Sequence, residues 1–204
     1  MKDTATKERI KKAAMEEFLE KGFREASLRT ITAKAHVTTG AFYGYYKDKE
    51  ALFQDLVEPA AGTMQKRFMD AQARFAAFSE KEQIAEMNQY SNRELQHFFN
   101  YIYEHFDVFR LVICGSAGTE YETYLHTLVK IEERSTLQFI DVLKRNGYQF
   151  ETPDTNLLHI LSNAYFSAMF ETVVHNMTKE EADQYVKHIT GFFSAGWGYL
   201  FGMR

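Results

Sequence analysis

The apolar positions of this chain recur with the period of an α-helix. In the first part of the chain this periodicity predicts several helices that follow one another closely. The first helix carries apolar residues at the i, i+3, i+4 and i+8 positions, namely Ile10, Ala13, Ala14 and Phe18. We expect it to end at about Lys21, because the following Gly22 is the residue type that commonly lies just after a helix. Two much shorter helices and the beginning of a long one are predicted within residues 28–53.

Capping residues separate these short elements. Ser27 is a suitable N-cap for the second helix, Thr38 for the third and Asp48 for a long fourth helix. In that fourth helix, Pro59 and Gly62 predict a kink. Two very short helices joined by a tight turn have the spacing of a helix-turn-helix that reads DNA. The expected inward-facing residues are Leu28, Ile31 and Ala35 in the second helix, and Val37, Phe42 and Tyr46 around the third.

Helix starts can also be recognised in the second half of the chain. Thr119 with Glu122, and Thr178 with Glu181, fit the capping box, in which a threonine and a later glutamate satisfy free backbone amides reciprocally. Thr152 is expected to cap a helix, because a proline follows it at the first helical position.

The predicted fold class is all-α, with about nine helices and no segment of strand period. An amino-terminal three-helix domain of the helix-turn-helix type is expected at residues 1–47. A second helical domain is expected at residues 48–204; its role in ligand binding and dimerisation is implied only by the family resemblance described below. Its later helices are predicted at roughly 80–105, 107–115, 119–146, 154–176 and 178–202.

Composition is consistent with a compact helical protein. The chain has 204 residues, of which two are proline, 45% are hydrophobic and 15% are aromatic, and this composition argues against disorder. Its single cysteine, Cys114, excludes an intramolecular disulfide framework and fits a reducing cytosol. We see no secretory signal and no apolar run of the roughly 18–20 residues that a membrane helix needs. We therefore expect a soluble cytoplasmic protein without a membrane partner.

Charge is distributed unevenly along the chain. The formal net charge is −4, which by itself argues against a nucleic-acid partner. Residues 1–50, however, hold eleven Lys and Arg against eight Asp and Glu, a balance of +3, so the remainder carries −7. A modestly basic head on an acidic body favours the approach of phosphate to the head.

Two stretches carry a resemblance to a known family. They are Lys21-Gly-Phe-Arg-Glu-Ala-Ser-Leu-Arg-Thr-Ile-Thr-Ala-Lys-Ala35 and Val37-Thr-Thr-Gly-Ala-Phe-Tyr-Gly-Tyr-Tyr-Lys-Asp-Lys-Glu-Ala-Leu-Phe53. Together they resemble the tetracycline-repressor-like (TetR) family of bacterial transcription regulators over roughly residues 6–57. The resemblance implies a regulator, specifically a repressor, that a small-molecule effector releases from a near-palindromic double-stranded DNA operator.

The resemblance also implies which residues contact DNA. Thr39 is small enough to approach base edges and can hydrogen-bond a base or pack against a thymine methyl. Lys49 lies at the amino end of the fourth helix, where a phosphate is favoured. His36 departs from the glycine common in the turn, although histidine is enriched at positive φ, and Thr30 replaces a common acidic residue. The expected DNA-binding residues are Ser27, Arg29, Thr38, Thr39, Ala41, Tyr43, Tyr45 and Lys49.

A homodimer built from the last two helices of each subunit is implied by the same resemblance. The last helix has an apolar stripe and, beside it, a stripe of small residues that would let a partner helix approach closely; Gly202 ends the small stripe. The alternative is that this helix frays after Gly196. The expected interface residues are Ala168, Ile189, Gly191, Phe193, Ala195, Trp197, Gly198 and Leu200.

The aromatic body of the chain is expected to enclose an effector pocket, as the family does. Aromatic walls with a few polar groups suit a small ligand, although aromatic residues at helical spacing are also ordinary core. The ligand itself is not indicated. The candidate pocket residues are His97, Phe98, Tyr101, Cys114, Tyr121, Phe166 and Phe170.

Catalytic and metal chemistry is not predicted, and we expect no cofactor. Glu94 and His97 have the Glu-x-x-His spacing of helical di-iron sites, but such a site needs a second copy and two more glutamates. No glycine-rich phosphate loop or recognisable nucleophile motif is present. Two other classes stay open: a helical small-molecule-binding protein without sequence-specific DNA binding, and a helical metalloenzyme.

Overall fold

The computed structural model describes residues 3–203, and every regular element in that range is helical. A π-helical turn, Leu111–Gly115, continues the sixth helix, and a 3₁₀ turn, Glu120–Thr123, precedes the seventh. The all-α prediction is confirmed. The helices are α1 (Thr4–Glu25), α2 (Leu28–Lys34), α3 (Thr39–Tyr43), α4 (Lys49–Ala76), α5 (Glu80–Glu104), α6 (Phe106–Arg110), α7 (Tyr124–Arg145), α8 (Thr155–Val174) and α9 (Lys179–Leu200).

Glycine interrupts α1 at the position where its end was predicted. Gly22 has φ +72° and ψ 167°, which is a conformation that residues with a side chain rarely adopt. A short helical segment follows and ends at Glu25. In α4, by contrast, the helix continues through Pro59 as one element.

Two of the predicted helix caps differ in detail from the observed ones. The box of Thr178 and Glu181 is present with both of its hydrogen bonds. Thr152 is not the cap of α8, because Asp154 accepts a hydrogen bond from the Leu157 amide at 2.7 Å in that role. The helix therefore begins after the proline rather than at it.

The start of the 119–146 helix is a looser arrangement than the predicted capping box. Thr119 Oγ1 accepts from the Tyr121 amide at 3.2 Å and begins only a 3₁₀ turn. The carboxylate of Glu122 accepts from the Gly118 amide at 2.8 Å, so it does not satisfy the amide of Thr119. The α-helical part consequently starts at Tyr124.

By their contacts, the described residues divide into two compact units. The first consists of residues up to Thr63 together with His105–Tyr124, and the second of Met64–Glu104 together with residues from Leu125 onward. Residues 105–124 join the first unit because α6 and the π-helical turn pack against α1. This division describes packing, and the functional boundary after residue 47 stays a prediction.

An aromatic cluster forms the core of the first unit. The ring of Phe53 lies 5.2 Å from that of Phe18, 5.3 Å from that of Phe23 and 6.1 Å from that of Tyr121, measured between centroids. Such edge-on and tilted contacts are the favoured geometries for aromatic pairs. They join α1, α4 and the 3₁₀ turn. The fully buried apolar residues around them include Ile10, Ala14, Ile31, Phe42, Leu52 and Val57.

A buried carboxylate connects α1 to both ends of α2. Glu17 is inaccessible to solvent, and its oxygens accept hydrogen bonds from Lys21 Nζ at 2.9 Å, Lys34 Nζ at 3.4 Å and the Ser27 amide at 3.3 Å. Burial alone would raise the pKa of Glu17, but the hydrogen bonds from Lys21, Ser27 and Lys34 outweigh it and lower the pKa below 4.5. Glu17 is therefore ionised and positions the start of α2.

The second unit has an apolar core in which α8 is the most hydrophobic helix. By length and composition α8 is the one helix among residues 3–203 that would be able to cross a membrane, but core helices of soluble proteins meet the same criteria. Here α8 packs on α9 and buries much of its apolar surface. Its buried apolar residues are Leu158, Phe166, Met169, Phe170 and Val173.

Replacing Glu17 by Gln is expected to destabilise the protein by about 1–3 kcal/mol at pH 7, because the two lysines and the Ser27 amide lose a charged acceptor. The folded-state pKa of Glu17 is lowered, so its contribution should be complete above pH 4.5 and disappear as the pH falls through the folded value. Urea unfolding at several pH values measures this. Glu16→Gln, at an exposed neighbouring position, is the control, and equal effects of both variants would contradict the assignment.

Candidate functional site

The turn between α2 and α3 is stabilised by backbone hydrogen bonds and by one residue in the left-handed region. His36 has φ +55°, as the family resemblance required of a residue in the place of glycine. The Val37 amide donates to the Thr32 carbonyl at 3.0 Å, and Arg9 Nε donates to the Ala35 carbonyl at 3.2 Å. The turn is thus held both by α2 and by α1.

Both short helices begin with the predicted caps. Ser27 Oγ accepts from the Thr30 amide at 3.4 Å, and Thr38 Oγ1 accepts from the Ala41 amide at 3.1 Å. These bonds satisfy amides of the first helical turn, which have no acceptor within their own helix. Arg29, in the first turn of α2, is exposed.

Helix α3 turns one aromatic residue inward and presents small residues outward. Phe42 is fully buried, whereas Thr39, Gly40 and Ala41 are exposed and 56% of Tyr43 is accessible. Tyr45, just beyond the helix, is half-buried. The outward face is therefore small at its amino end and carries a phenol hydroxyl one turn later.

A second aromatic residue anchors the end of this segment to α4. The Tyr46 hydroxyl donates to Asp55 Oδ2 at 2.8 Å, and the same carboxylate pairs with Lys7 Nζ at 3.0 Å and Lys11 Nζ at 3.6 Å. Burial would raise the pKa of Asp55, but the hydrogen bonds from Lys7 and Tyr46 outweigh it and lower the pKa. Three elements, α1, α4 and the segment after α3, thus share one ionised carboxylate.

Lys49 makes intramolecular contacts that were not predicted, and its expected contact with DNA stays untested. Its ammonium donates to the backbone carbonyls of Phe23 at 2.6 Å, Arg24 at 3.2 Å and Ala26 at 2.9 Å, and it lies 4.6 Å from the centre of the Phe23 ring. Burial lowers the pKa of Lys49, and the nearby charge of Glu25 only partly opposes this. Because all three N–H groups of the ammonium already have acceptors, the geometry argues against the expected phosphate contact. It favours a structural role, in which Lys49 acts as a clamp between the start of α4 and the end of α1.

The second unit encloses a cavity of about 160 Å³. Its walls come from α4, α5, α7, α8 and α9, and most of its lining is apolar or aromatic. Three predicted pocket residues, Phe98, Phe166 and Phe170, line it. These three residues therefore share one cavity, and its role as an effector pocket stays a prediction.

The four polar or mixed candidates for the pocket lie outside this lining. Tyr101 is buried with its ring 4.3 Å from the Arg67 guanidinium, and His97 is an exposed residue 4.0 Å from the Glu94 carboxylate. Cys114 is exposed on the π-helical turn of the first unit. In the same unit, the Tyr121 hydroxyl donates to Glu58 Oε2 at 2.6 Å. Cys114 and Tyr121 lie apart from the cavity because residues 105–124 belong to the first unit.

Several polar residues of the cavity lining were not predicted, among them Glu132. Glu132 lines the cavity from α7 and accepts a hydrogen bond from Gln72 Nε2 at 2.7 Å. A signal existed in the sequence: Glu132 lies at the i+4 position between buried Leu128 and buried Thr136 on the apolar stripe of α7. Because burying an acidic side chain without a partner is costly, an acidic residue on a buried stripe indicates a binding site as much as an aromatic residue does.

Within a single subunit, some of the predicted interface residues pack against the core and others are exposed or half-buried. Phe193 lies 4.9 Å from the Tyr165 ring, and Ile189, Trp197 and Leu200 pack against the core of their own unit. Gly191 and Ala195 are exposed, while Ala168 and Gly198 are half-buried. Gly202 lies after α9 with φ +62°, so its glycine is explained by a turn. The interface itself stays a prediction.

The spacing of Glu94 and His97 raised the question of a metal site. Across residues 3–203 we find no group of three or more His, Cys, Asp or Glu side chains arranged to hold an ion. Glu94 and His97 form a two-residue pair, and Glu94 also pairs with Arg74 at 3.1 Å.

The fold and the exposed α3 define a helical protein whose amino-terminal unit is a helix-turn-helix domain. Residues 10–56 match the family described as bacterial regulatory proteins, tetR family. This match covers about a quarter of the chain, so the amino-terminal segment, rather than the whole chain, is assigned a likeness to a family of bacterial regulatory proteins.

Individual relatives agree with this assignment. The chain is 39% identical over 56 residues to the uncharacterized HTH-type transcriptional regulator YdgC of Bacillus subtilis (strain 168), a match that spans 28% of this chain and only 29% of that protein. In solved structures it is similar to a TetR-like transcriptional regulator from Rhodococcus sp. RHA1, with TM-score 0.55, 17% identity and coverage of 97% and 98% of the two chains. A bacterial regulatory protein of the tetR family from Rhodococcus RHA1 gives TM-score 0.56 at 17% identity, over 92% and 96%. At this identity the structures establish the fold alone.

Replacing Lys49 by Met is expected to lower the free energy of unfolding by about 1–3 kcal/mol, because three carbonyls at the end of α1 lose their donor. Lys47→Met is the matched control, since the side chain of Lys47 is 80% exposed. Thermal unfolding followed by circular dichroism measures the difference. If Lys49→Met keeps full stability and weakens only DNA binding, the phosphate contact is right and the clamp is wrong.

Proposed function

We propose that this chain is a cytoplasmic DNA-binding repressor that acts as a homodimer on a near-palindromic operator and is released by a small-molecule effector. The observation that carries the proposal is the exposed face of α3, with Thr39, Gly40 and Ala41 outward and Phe42 buried beneath them. A recognition helix needs small outward residues at its amino end, where it approaches base edges. The assignment of residues 10–56 to the tetR family supports the same role.

The contacts we propose follow from the chemistry of that face. Thr39 would hydrogen-bond a base edge or pack its methyl against thymine, and Ala41 would allow close approach. The Tyr43 hydroxyl would reach a phosphate, and Arg29 would contact the backbone from α2. Ser27 and Thr38 would add contacts near the two helix starts, with Tyr45 beside Tyr43. Lys49 would act indirectly, by holding the start of α4.

The homodimer is proposed to form through the exposed face of α9. Tyr185, Phe192 and Tyr199 are spaced seven residues apart and are 56%, 75% and 83% exposed. Between them, a Cβ atom added at Gly191 or Gly196 would meet nothing within 4 Å. A stripe of exposed aromatic rings interrupted by open glycines suits close packing against a second α9, because large exposed apolar patches commonly mark interfaces.

Effector release is proposed to use the cavity of the second unit. Helix α4 contributes Met64, Phe68 and Gln72 to the cavity wall, and the same helix begins with Lys49. A ligand that fits the cavity in only one position of α4 would favour that position. Only such a difference in affinity between two conformers can shift the protein between its DNA-bound and released states.

The second candidate is a helical small-molecule-binding protein that no longer reads specific DNA. The cavity favours this candidate as much as it favours a regulator. Binding to a specific duplex that weakens as salt increases would exclude it, because phosphate contacts release counterions.

A test of DNA reading is to select bound fragments of genomic DNA with the purified protein and to measure variants on the selected duplex. Thr39→Ala and Tyr43→Phe are each expected to weaken binding by about 1 kcal/mol, or roughly fivefold in Kd, since each removes a hydrogen-bonding group. Fluorescence anisotropy measures the change. Thr155→Ala, at an exposed threonine of the second unit, is the control. Unchanged affinity in both head variants would reject the proposed surface.

The dimer is tested by replacing residues of the exposed α9 face. Phe192→Glu and Gly191→Leu are expected to convert the protein to a monomer, because a charge or a bulky group would enter the proposed contact. Light scattering gives the mass, and circular dichroism checks folding. Met69→Glu alters an apolar residue that is 51% exposed on α4 and should leave the dimer intact. A dimer that survives both α9 variants must use another surface.

A further inference from the structure

We infer that the cavity of the second unit binds a single-ring aromatic or similarly sized apolar molecule that carries a cationic nitrogen, with the Glu132 carboxylate as the counter-charge. This inference rests on the proposed effector role of the cavity and names the chemical class of the effector. It follows from the size of the cavity, from the charges along its lining and from the hydrogen bonds of Glu132.

The size of the cavity favours a small ligand. Its volume of about 160 Å³ is close to that of the engineered apolar cavity of roughly 150 Å³ that binds benzene. Aromatic side chains from all five helices line it, among them Phe68, Phe98, Phe139, Phe166 and Phe193. Such rings also attract a cation over their faces.

The charges along the lining are all of one sign. It contains two glutamates, Glu94 and Glu132, and among the described residues it contains no Lys, Arg or His. Glu94 already has a counter-charge, because its carboxylate lies 3.1 Å from Arg74 and 3.8 Å from Arg93. No ion pair of Glu132 occurs within residues 3–203, so its charge is left uncompensated by the protein.

The groups that face Glu132 are polar but not basic. Gln72 on α4 donates a hydrogen bond to it, and Thr136 lies one turn further along α7. On α8, burial and then the charge of Glu132 raise the pKa of Tyr165. The other titratable lining groups are Tyr90 and Glu94 on α5, and α9 contributes none. The ligand therefore has to supply any positive charge.

A second polar group in the wall is incompletely bonded. Thr190 Oγ1, on α9, is buried close to the Tyr165 side chain, yet it makes no hydrogen bond of good geometry within residues 3–203. A buried polar atom of this kind normally finds a partner in protein, water or ligand. A protonated amine has more than one N–H to donate, so a single nitrogen would be able to satisfy both a carboxylate and a hydroxyl.

The protonation of Glu132 gives the inference a pH signature. Burial raises the pKa of Glu132 to about 7, and hydrogen bonds from Gln72 and Thr136 oppose this only in part. A cationic ligand selects the ionised carboxylate, so its affinity should rise by about tenfold between pH 6 and pH 8. A neutral hydrogen-bond acceptor would select the protonated acid, and its affinity would change in the opposite direction.

The experiment uses three probes of nearly equal shape: benzylamine, benzyl alcohol and benzoate. Trp197 is the single tryptophan of the chain and lines the cavity, so its fluorescence reports binding directly. At pH 8 benzylamine is expected to bind at least about tenfold more tightly than either other probe. Glu132→Gln should abolish both this preference and its pH dependence. Glu94→Gln, at the lining glutamate that already has arginine partners, should keep both.

Absence of benzylamine binding at pH 8, equal binding of benzyl alcohol, or a preference that survives in Glu132→Gln would each overturn the inference. Circular dichroism and urea unfolding verify that the variant is folded, and the pH profile of the unmodified protein is an independent measurement. Binding to the selected duplex is followed in parallel. If duplex binding persists while the amine preference fails, only the ligand class is wrong; if specific duplex binding is absent, the proposed function is wrong whatever the cavity binds.

Discussion

The ammonium of Lys49 occupies a position where three backbone carbonyls at the end of α1 converge, with the Phe23 ring on one side. Helix ends leave carbonyls that need donors, and the side chain of Lys49 supplies three N–H groups from the first turn of α4. The start of α4 is thereby fixed to α1. Because α2 and α3 are short, their orientation depends on this pair of long helices. The outward face of α3 is a consequence of that arrangement.

Around the clamp, two ionised carboxylates complete the first unit. Glu17 joins α1 to α2, and Asp55 joins α4 to α1 and to Tyr46 beyond α3. Each is buried or half-buried and each receives several donors, so it remains charged at neutral pH. The first unit is thus held by these ionised carboxylates and by the aromatic cluster of Phe18, Phe23 and Phe53 in its core.

Sequence reasoning succeeded where the cause of a structure is local. The caps Ser27 and Thr38, the positive φ of His36 and the break at Gly22 depend on neighbouring backbone atoms, so residue type and spacing were enough to predict them. The role of Lys49 was not predicted, because its acceptors lie more than twenty residues away in the sequence.

For the cavity, the aromatic residues Phe98, Phe166 and Phe170 were predicted, since apolar periodicity marks the buried face of each helix. Cys114 and Tyr121 were misplaced because the packing of α6 against α1 is a long-range contact that periodicity does not encode. Glu132 was missed although its place on the apolar stripe of α7 was a signal in the sequence. That it faces a cavity depends on the long-range packing of Gln72 and of rings from four other helices.

The central claim is that α3 reads base edges in the major groove as one half of a symmetric pair. Protection of guanine N7, which faces the major groove, from methylation by dimethyl sulfate on the selected duplex tests this most directly. The account predicts two protected segments related by the symmetry of the site and separated by about one helical turn, 10–10.5 base pairs, or a multiple of it. Uniform protection, or protection that does not depend on the duplex sequence, would contradict it.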